Sequence, residues 1–242
     1  MDKFTLYAGQ FLPFHEYFAP KGHKACQGCG VALGVRHVYK ALEGICKNLN
    51  SAIWQIPWKH RVLATHDAAS TTAPALLLIE KDQKNQSKLH ICFDNECIRS
   101  KIEKEVLIKR QPALALASDF VYVATACPSY PFDLIEKVRR AWDVKGNSYI
   151  HILCPCPVGW EFPSENTVRI GRMAVETRLF PLYEIAGGTY HITVDEPNPR
   201  PLTDYLKLQK RFAHWKPQQA AALQEAVIAM YKQLKDKATV AK

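Results

Sequence analysis

The sequence predicts an α/β fold in which a mostly parallel sheet is flanked by helices. Short segments rich in β-branched and aromatic residues alternate with longer segments whose apolar residues recur at helical spacing. Alternation of this kind is typical of βαβ units, whose strands pair in parallel. The chain has 242 residues, 48% of them hydrophobic, which is enough to bury a sizeable core.

The predicted elements follow one another along most of the chain. Helices are predicted from apolar residues at helical spacing, with Pro74 tolerated in a first turn. Strands are predicted from runs of β-forming residues, most clearly Phe-Val-Tyr-Val-Ala-Thr-Ala. The predicted helices are residues 31–42, 71–81, 131–142 and 218–234, and the predicted strands are residues 89–93, 120–126, 148–153 and 189–194. Residues 235–242 are predicted to be a frayed tail.

The character of the sequence changes after Trp160, where turn-rich segments replace the regular alternation. We therefore expect residues 1–160 to form the main α/β domain. Residues 161–242 are expected to be a C-terminal extension that packs on this domain or on a partner subunit.

Three segments with chemically notable side chains come directly after predicted strands, at residues 94–96, 127–129 and 154–157. In parallel sheets, ligands bind beyond the carboxyl ends of the strands. We expect these segments to lie together on that edge of the sheet.

Charge and hydropathy exclude some classes of function. The formal net charge is +9, but the Lys and Arg residues are dispersed and no nucleic-acid-binding motif accompanies them. The sequence contains no run of 18 apolar residues, so no membrane span is predicted. The first 20 residues lack the apolar core of a secretory signal. A cytoplasmic protein that binds no nucleic acid is expected.

The chain contains eight cysteines, and two of them form the sharpest local motif, Cys26-Gln27-Gly28-Cys29. Without a secretory signal, metal binding, redox chemistry or burial is favoured over disulfides. Two intervening residues let both thiolates reach one metal or one edge of a cluster, and the following helix points its positive end at them. The pair alone leaves zinc, an iron–sulfur cluster, a redox dithiol or no function open.

A second cysteine motif, Cys154-Pro155-Cys156-Pro157, adds a third candidate ligand. Prolines on both sides of Cys156 prevent regular sheet pairing there, which favours a thiol held on a stiff turn. Cys154 is interpreted as a small core residue. A [4Fe-4S] cluster usually takes four thiolates, and Cys46 is the remaining candidate for the fourth.

Several segments, taken in order, resemble the β-type subunits of the 2-oxoacid (pyruvate):ferredoxin oxidoreductases. Residues 22–30 resemble the opening Gly-His-x-x-Cys-x-Gly-Cys-Gly of that family, and residues 148–160 resemble its Tyr-Ile-His-x-Leu-x-Pro-Cys-Pro-x-Gly-Trp segment. Further similar segments are residues 56–69, 91–96, 122–134, 174–184 and 201–212. The resemblance extends from about residue 20 to residue 212.

This resemblance implies a thiamine-diphosphate-binding type of α/β domain in a heteromeric complex that is inactive as a single chain. It implies oxidative decarboxylation of a 2-oxoacid such as pyruvate to acyl-coenzyme A, with α-type and γ/δ-type partner subunits and ferredoxin as the electron acceptor. Cys26, Cys29 and Cys156 fall at matched positions for ligands of a [4Fe-4S] cluster. Asp94, Asn95 and Cys97 lie in the segment that corresponds to the family's thiamine diphosphate and Mg²⁺ site.

The sequence also departs from the family pattern. The family's Gly-Asp-Gly turn, which holds the diphosphate through Mg²⁺, is absent, and no glycine occurs between Ile45 and Lys145. Residues 77–88 are interpreted as a shortened, solvated connector in its place, and Arg178 stands where the family has glycine. Three hypotheses follow. The chain is a divergent working subunit, a thiamine-free paralogue that acts in electron transfer or as a scaffold, or a zinc-stabilised binding module.

Overall fold

The computed structural model describes residues 25–43, 75–82, 87–95 and 120–240. The helices are α1 (Gly30–Leu42), α2 (Pro131–Asp143), α3 (Pro157–Trp160), α4 (Thr167–Glu176), α5 (Leu202–Lys207) and α6 (Pro217–Val240). The strands are β1 (Ala75–Asp82), β2 (Ser87–Asp94), β3 (Phe120–Ala126), β4 (Asn147–Leu153), β5 (Leu182–Ala186) and β6 (Thr189–Val194). Short 3₁₀ turns occupy Ser164–Asn166 and Lys210–Phe212.

The six strands of the described residues form one sheet in the order β1-β2-β4-β3-β5-β6. Strand β4 lies between β2 and β3 and is parallel to both, whereas β1, β5 and β6 join through antiparallel pairings. The predicted α/β class is confirmed, with the parallel pairing confined to the three central strands.

Helices cover both faces of this sheet. Side chains alternate between the two faces along each strand, so neighbouring residues pack against different helices. On β3, Ala124 joins the core that α1 and α2 share with the sheet, whereas its neighbour Val123 points to the opposite face and packs near Leu234 of α6. Toward their carboxyl ends the central strands are buried on both sides, because consecutive residues of β2, β3 and β4 are buried there.

The predicted helix over residues 71–81 is wrong. Residues 75–82 form strand β1, an edge strand that pairs antiparallel with β2, from Ala75 opposite Phe93 to Asp82 opposite Ser87. The Leu-Leu-Leu-Ile run suits either a helix or a strand by its own propensity, and pairing with β2 decides between them. The predicted connector over residues 77–88 is likewise mostly strand, with only residues 83–86 between β1 and β2.

The C-terminal residues contribute directly to the sheet and its packing. The predicted hairpin strand over residues 189–194 is β6, which pairs with β5 and is covered by α6. Helix α6 continues to Val240, so the prediction of a frayed tail from residue 235 is wrong over residues 235–240. The domain division at residue 160 stays a prediction. In the part of the chain that the structure describes, no helix is long and apolar enough to cross a membrane.

Candidate metal centre

The carboxyl ends of the three central strands meet at one edge of the sheet. Asp94 at the end of β2 pairs with Leu153 at the end of β4, and Ala126 at the end of β3 pairs with Ile152. Residues 94–95, 127–129 and 154–157 therefore share this edge, as predicted. The backbone N–H of Cys154 donates to Asp94 O at 2.7 Å, which joins two of these segments directly.

The cysteine loop, residues 26–30, packs onto the Pro-Cys-Pro segment, residues 155–157. The N–H of Gly30 donates to Pro155 O at 3.1 Å. A Cβ atom on Gly30 would lie 2.5 Å from that same oxygen, so only glycine permits this approach. The loop and the segment are distant in sequence, and this backbone contact brings their cysteines together.

The other side of the cysteine loop rests on the start of α4. Thr167 Oγ1 donates to Gly28 O at 2.6 Å, and a Cβ atom on Gly28 would lie 2.4 Å from Ser164 O. Gly28 also has a φ of +68°, a left-handed conformation that favours glycine. Both glycines of the motif are thus required by close contacts and turn geometry.

The thiols of Cys26, Cys29 and Cys156 lie close enough to influence one another. Burial raises the pKa of the Cys26 thiol, and the nearby Cys156 raises it further. Burial also raises the pKa of Cys29, to which Cys156 and Cys26 add smaller increases. These three thiols are the ones that the sequence predicted as cluster ligands.

Backbone amides point toward two of these sulfur atoms. The N–H of Gly159 donates to Cys156 Sγ at 3.3 Å, and the N–H groups of Val31 and Ala32 lower the pKa of Cys29 in opposition to its burial. Both sets of amides come from the first turn of a helix, α3 or α1. N–H groups directed at sulfur suit a thiolate and are a recognised control on cluster potentials.

The other described cysteines lie in the hydrophobic interior. Cys154 and Cys127 are fully buried, and burial raises the pKa of Cys127 to about 11 and that of Cys154 well above its ordinary value. Cys92 lies within β2, and its pKa is raised to about 12, again mainly by burial. Such thiols stay protonated near neutral pH. Cys46 and Cys97 lie outside the described residues.

Among residues 25–43, 75–82, 87–95 and 120–240, no three His, Cys, Asp or Glu side chains converge closely enough to hold one metal ion. A single zinc ion needs all its ligands about 2.3 Å or less from one point, whereas the thiolates of a [4Fe-4S] cluster bind to different iron atoms. The assignment of Cys26, Cys29 and Cys156 as cluster ligands stays a prediction.

Among the described residues, Asp94 and Asn95 form no thiamine diphosphate and Mg²⁺ site of the family's kind. Asp94 Oδ2 lies 3.0 Å from Nε2 of the buried His151, and Trp160 Nε1 donates to Asn95 O at 2.7 Å. Strand β1 reaches β2 through residues 83–86, at the end of the sheet opposite Asp94. The described residues before Asp94 thus bring no glycine turn to the carboxyl edge to hold a diphosphate.

One residue of the site was given no role by the sequence analysis. Arg211 is buried, and its guanidinium carbon lies 3.9 Å from the centre of the Trp160 ring. Burial lowers the pKa of Arg211 to about 10, against opposing effects of Tyr205, Cys156 and Asp94. The arginine was visible only as part of the family-like segment 201–212, because its position over the Trp160 ring depends on tertiary packing.

Comparison with known proteins identifies the family. The pyruvate synthase subunit PorB of Methanocaldococcus jannaschii is 31% identical to the chain, over 84% of the chain and 91% of that protein. PorB of Methanothermobacter marburgensis is 30% identical, over 93% and 99%. The ketoisovalerate oxidoreductase subunit VorB of Pyrococcus horikoshii is 28% identical, over 95% and 96%. No protein-family model matches the chain.

The chain therefore belongs to the β-type subunits of the 2-oxoacid:ferredoxin oxidoreductases, the family that includes these PorB and VorB subunits. It is a divergent member. The alignment with the Methanothermobacter protein spans 286 positions, whereas the whole chain has 242 residues, so at least 44 aligned positions have no counterpart here. This difference agrees with the shortening deduced from the missing Gly-Asp-Gly turn.

Proposed function

We propose that the chain is the β-type subunit of a complex that oxidises a 2-oxoacid such as pyruvate to acyl-coenzyme A, and that it holds a [4Fe-4S] cluster on Cys26, Cys29 and Cys156. The contact between the cysteine loop and the Pro-Cys-Pro segment supports this proposal most directly, because it gathers the three thiols. The fourth thiolate is proposed to be Cys46. The proposed partners are α-type and γ/δ-type subunits and ferredoxin, in the cytoplasm.

The residues around the thiols would orient and shield the cluster. Helices α1 and α3 direct N–H groups at Cys29 and Cys156. Cys29 and Cys156 are 9% and 4% exposed, whereas Cys26 is partly exposed, so one side of the site is more accessible than the other. A bound cluster supplies reversible uptake and release of single electrons.

Anaerobic purification of the complex with this chain tests the proposal. We expect about four irons per chain by the ligand count of a [4Fe-4S] cluster, together with 2-oxoacid-dependent reduction of a viologen dye. Cys26→Ser should lose iron and dye reduction, while Cys127→Ser, at a buried cysteine outside the site, should keep both. Zinc in place of iron in the wild-type complex would contradict the proposal and select the zinc-stabilised module.

A second candidate function is a thiamine-free paralogue that transfers electrons or acts as a scaffold. The β1–β2 hairpin favours it, because paired strands occupy most of residues 77–88, the stretch in which the family's diphosphate turn is expected. Mass spectrometry of the intact complex separates the candidates. Thiamine diphosphate at one equivalent per chain supports the catalytic subunit, whereas iron without thiamine diphosphate and without 2-oxoacid oxidation supports the paralogue.

A further inference from the structure

An open cleft of about 690 Å³ lies between helices α4 and α5. Its lining combines four basic side chains with three carboxylates and a few apolar side chains. The basic residues are Arg169, Arg172, Arg200 and Lys207.

Ion pairing neutralises only one of these basic side chains. Arg200 Nε lies 2.9 Å from Glu176 Oε2, and the backbone N–H of Arg200 donates to Glu176 O at 3.0 Å. These two contacts join the segment before α5 to the end of α4. In the part of the chain that the structure describes, the side chains of Arg169, Arg172 and Lys207 form no hydrogen bond or salt bridge. They share the cleft with the two other carboxylates, Glu165 and Asp204.

The exposed face of α4 presents the two arginines beside an apolar side chain. Arg169 and Arg172 are three residues apart, so they are neighbours on the helix surface, and both are exposed. Val168 lies one turn before Arg172 and is 44% exposed. Arginine beside accessible apolar surface is typical of protein–protein interfaces, in which arginine is enriched.

The charges of this cleft suit an acidic polypeptide segment better than other anions. One carboxylate gains little from an exposed cation in water, whereas several carboxylates on one segment bind together and reinforce one another. The guanidinium group can also accept a carboxylate through two parallel hydrogen bonds. Glu165 and Asp204 would repel the continuous phosphate charge of a nucleic acid. The net charge of +9 of the whole chain favours an acidic partner.

We propose that this cleft binds an acidic segment of a partner subunit. The carboxylates of the segment pair with Arg169, Arg172 and Lys207, and its apolar side chains cover Val168. The inference rests on one part of the proposed function, which is that the chain assembles with partner subunits; the similar PorB and VorB proteins are named as subunits. It is independent of any cluster or thiamine diphosphate.

The affinity of the full chain for its partner subunits, measured at about 0.15 M salt, tests the role of the arginines. We expect the double variant Arg169→Gln/Arg172→Gln to raise the dissociation constant by about threefold to tenfold, and to weaken its dependence on salt, because two exposed ion pairs are lost. The matched control Lys216→Gln/Lys232→Gln removes two exposed cations outside the cleft and should change the constant less than about twofold. Both double variants should unfold in urea like the wild type.

A photo-crosslinking amino acid in place of Val168 identifies the occupant of the cleft. After irradiation of the purified complex, mass spectrometry should find position 168 joined to a segment of a partner subunit in which Asp and Glu outnumber Lys and Arg. A cross-link to another part of this chain, to a second copy of it, or to a partner segment without excess acidic residues would overturn the proposal, as would no cross-link at all.

These outcomes distinguish this inference from the proposed function. A wild-type chain that binds no partner subunit overturns both. A wild-type complex whose dissociation constant changes equally in the arginine and lysine double variants overturns the role of the cleft alone.

Discussion

Gly30→Ala tests the contact that gathers the three thiols. The added methyl group would lie 2.5 Å from Pro155 O and 2.7 Å from the carbonyl carbon of Cys154, both backbone atoms. Ordinary contact with the oxygen would require a separation of about 0.9 Å more, and the Gly30 N–H···O bond of 3.1 Å would then be broken. The cysteine loop would have to move away from Cys156.

The expected cost follows from these contacts. Overpacking against backbone costs about 1–3 kcal/mol, and loss of the hydrogen bond costs about 1 kcal/mol. Alanine returns up to about 1 kcal/mol through its higher helix propensity at the start of α1. We therefore expect the free energy of unfolding to fall by roughly 1–3 kcal/mol, and the iron content of the complex to fall with it.

Gly34→Ala, one turn later in α1, is the matched control. Its methyl group would lie 3.2 Å from ring atoms of Phe93 and 3.5 Å from Cys154 Sγ, contacts that small side-chain shifts relieve. Urea unfolding of both variants measures stability, and iron analysis of the complexes measures cluster loading. Gly34→Ala should keep both close to wild type. Equal stability and equal iron in the two variants would refute the role given to the Gly30–Pro155 contact.

Two further predictions concern stability. Arg178 has a φ of +60° and stacks on Tyr231 at 4.2 Å, so Arg178→Gly and Arg178→Ala both lose the stack, but only alanine keeps the backbone strain. Urea unfolding should find the glycine variant more stable by about 1 kcal/mol, and an alanine variant that is equally stable would contradict the strain. The buried Cys127, with its pKa raised from 9.0 to about 11, retains a proton that the unfolded chain releases above pH 9. The stabilising effect of this proton is complete below pH 9 and is lost by about pH 11. Between these pH values the free energy of unfolding should therefore fall less steeply for Cys127→Ala than for the wild type, by up to about 1.4 kcal/mol per pH unit. Identical slopes for the two proteins would contradict this assignment.

Elements with unambiguous local patterns were predicted well. Strands β3 and β4 and helix α2 agree with the predictions to within a residue, because their β-forming runs and helical spacing match their burial. Strand β1 was assigned to a helix because its leucines suit both structures, and its pairing with β2 is a tertiary effect. The tail beyond residue 235 continues as helix after Leu234, which packs on the sheet.

The candidate site was predictable to a similar degree. The Cys-x-x-Cys spacing and the prolines around Cys156 pointed to three of its residues without any coordinates. The Gly30–Pro155 contact, the hydrogen bond from Thr167 to Gly28 and the stacking of Arg211 on Trp160 join segments far apart in sequence. No local pattern encodes such contacts, so they require the fold.

Iron analysis with electron paramagnetic resonance, on complexes that carry Cys156→Ser or Cys154→Ser, tests the central claim most directly. The two cysteines are separated by one proline, both are buried, and only Cys156 is assigned to the cluster. We expect the cluster signal and about four irons per chain in the wild type and in Cys154→Ser, and their loss in Cys156→Ser. Retention of the signal in Cys156→Ser, or its equal loss in both variants, would contradict the assignment of Cys156 as a cluster ligand.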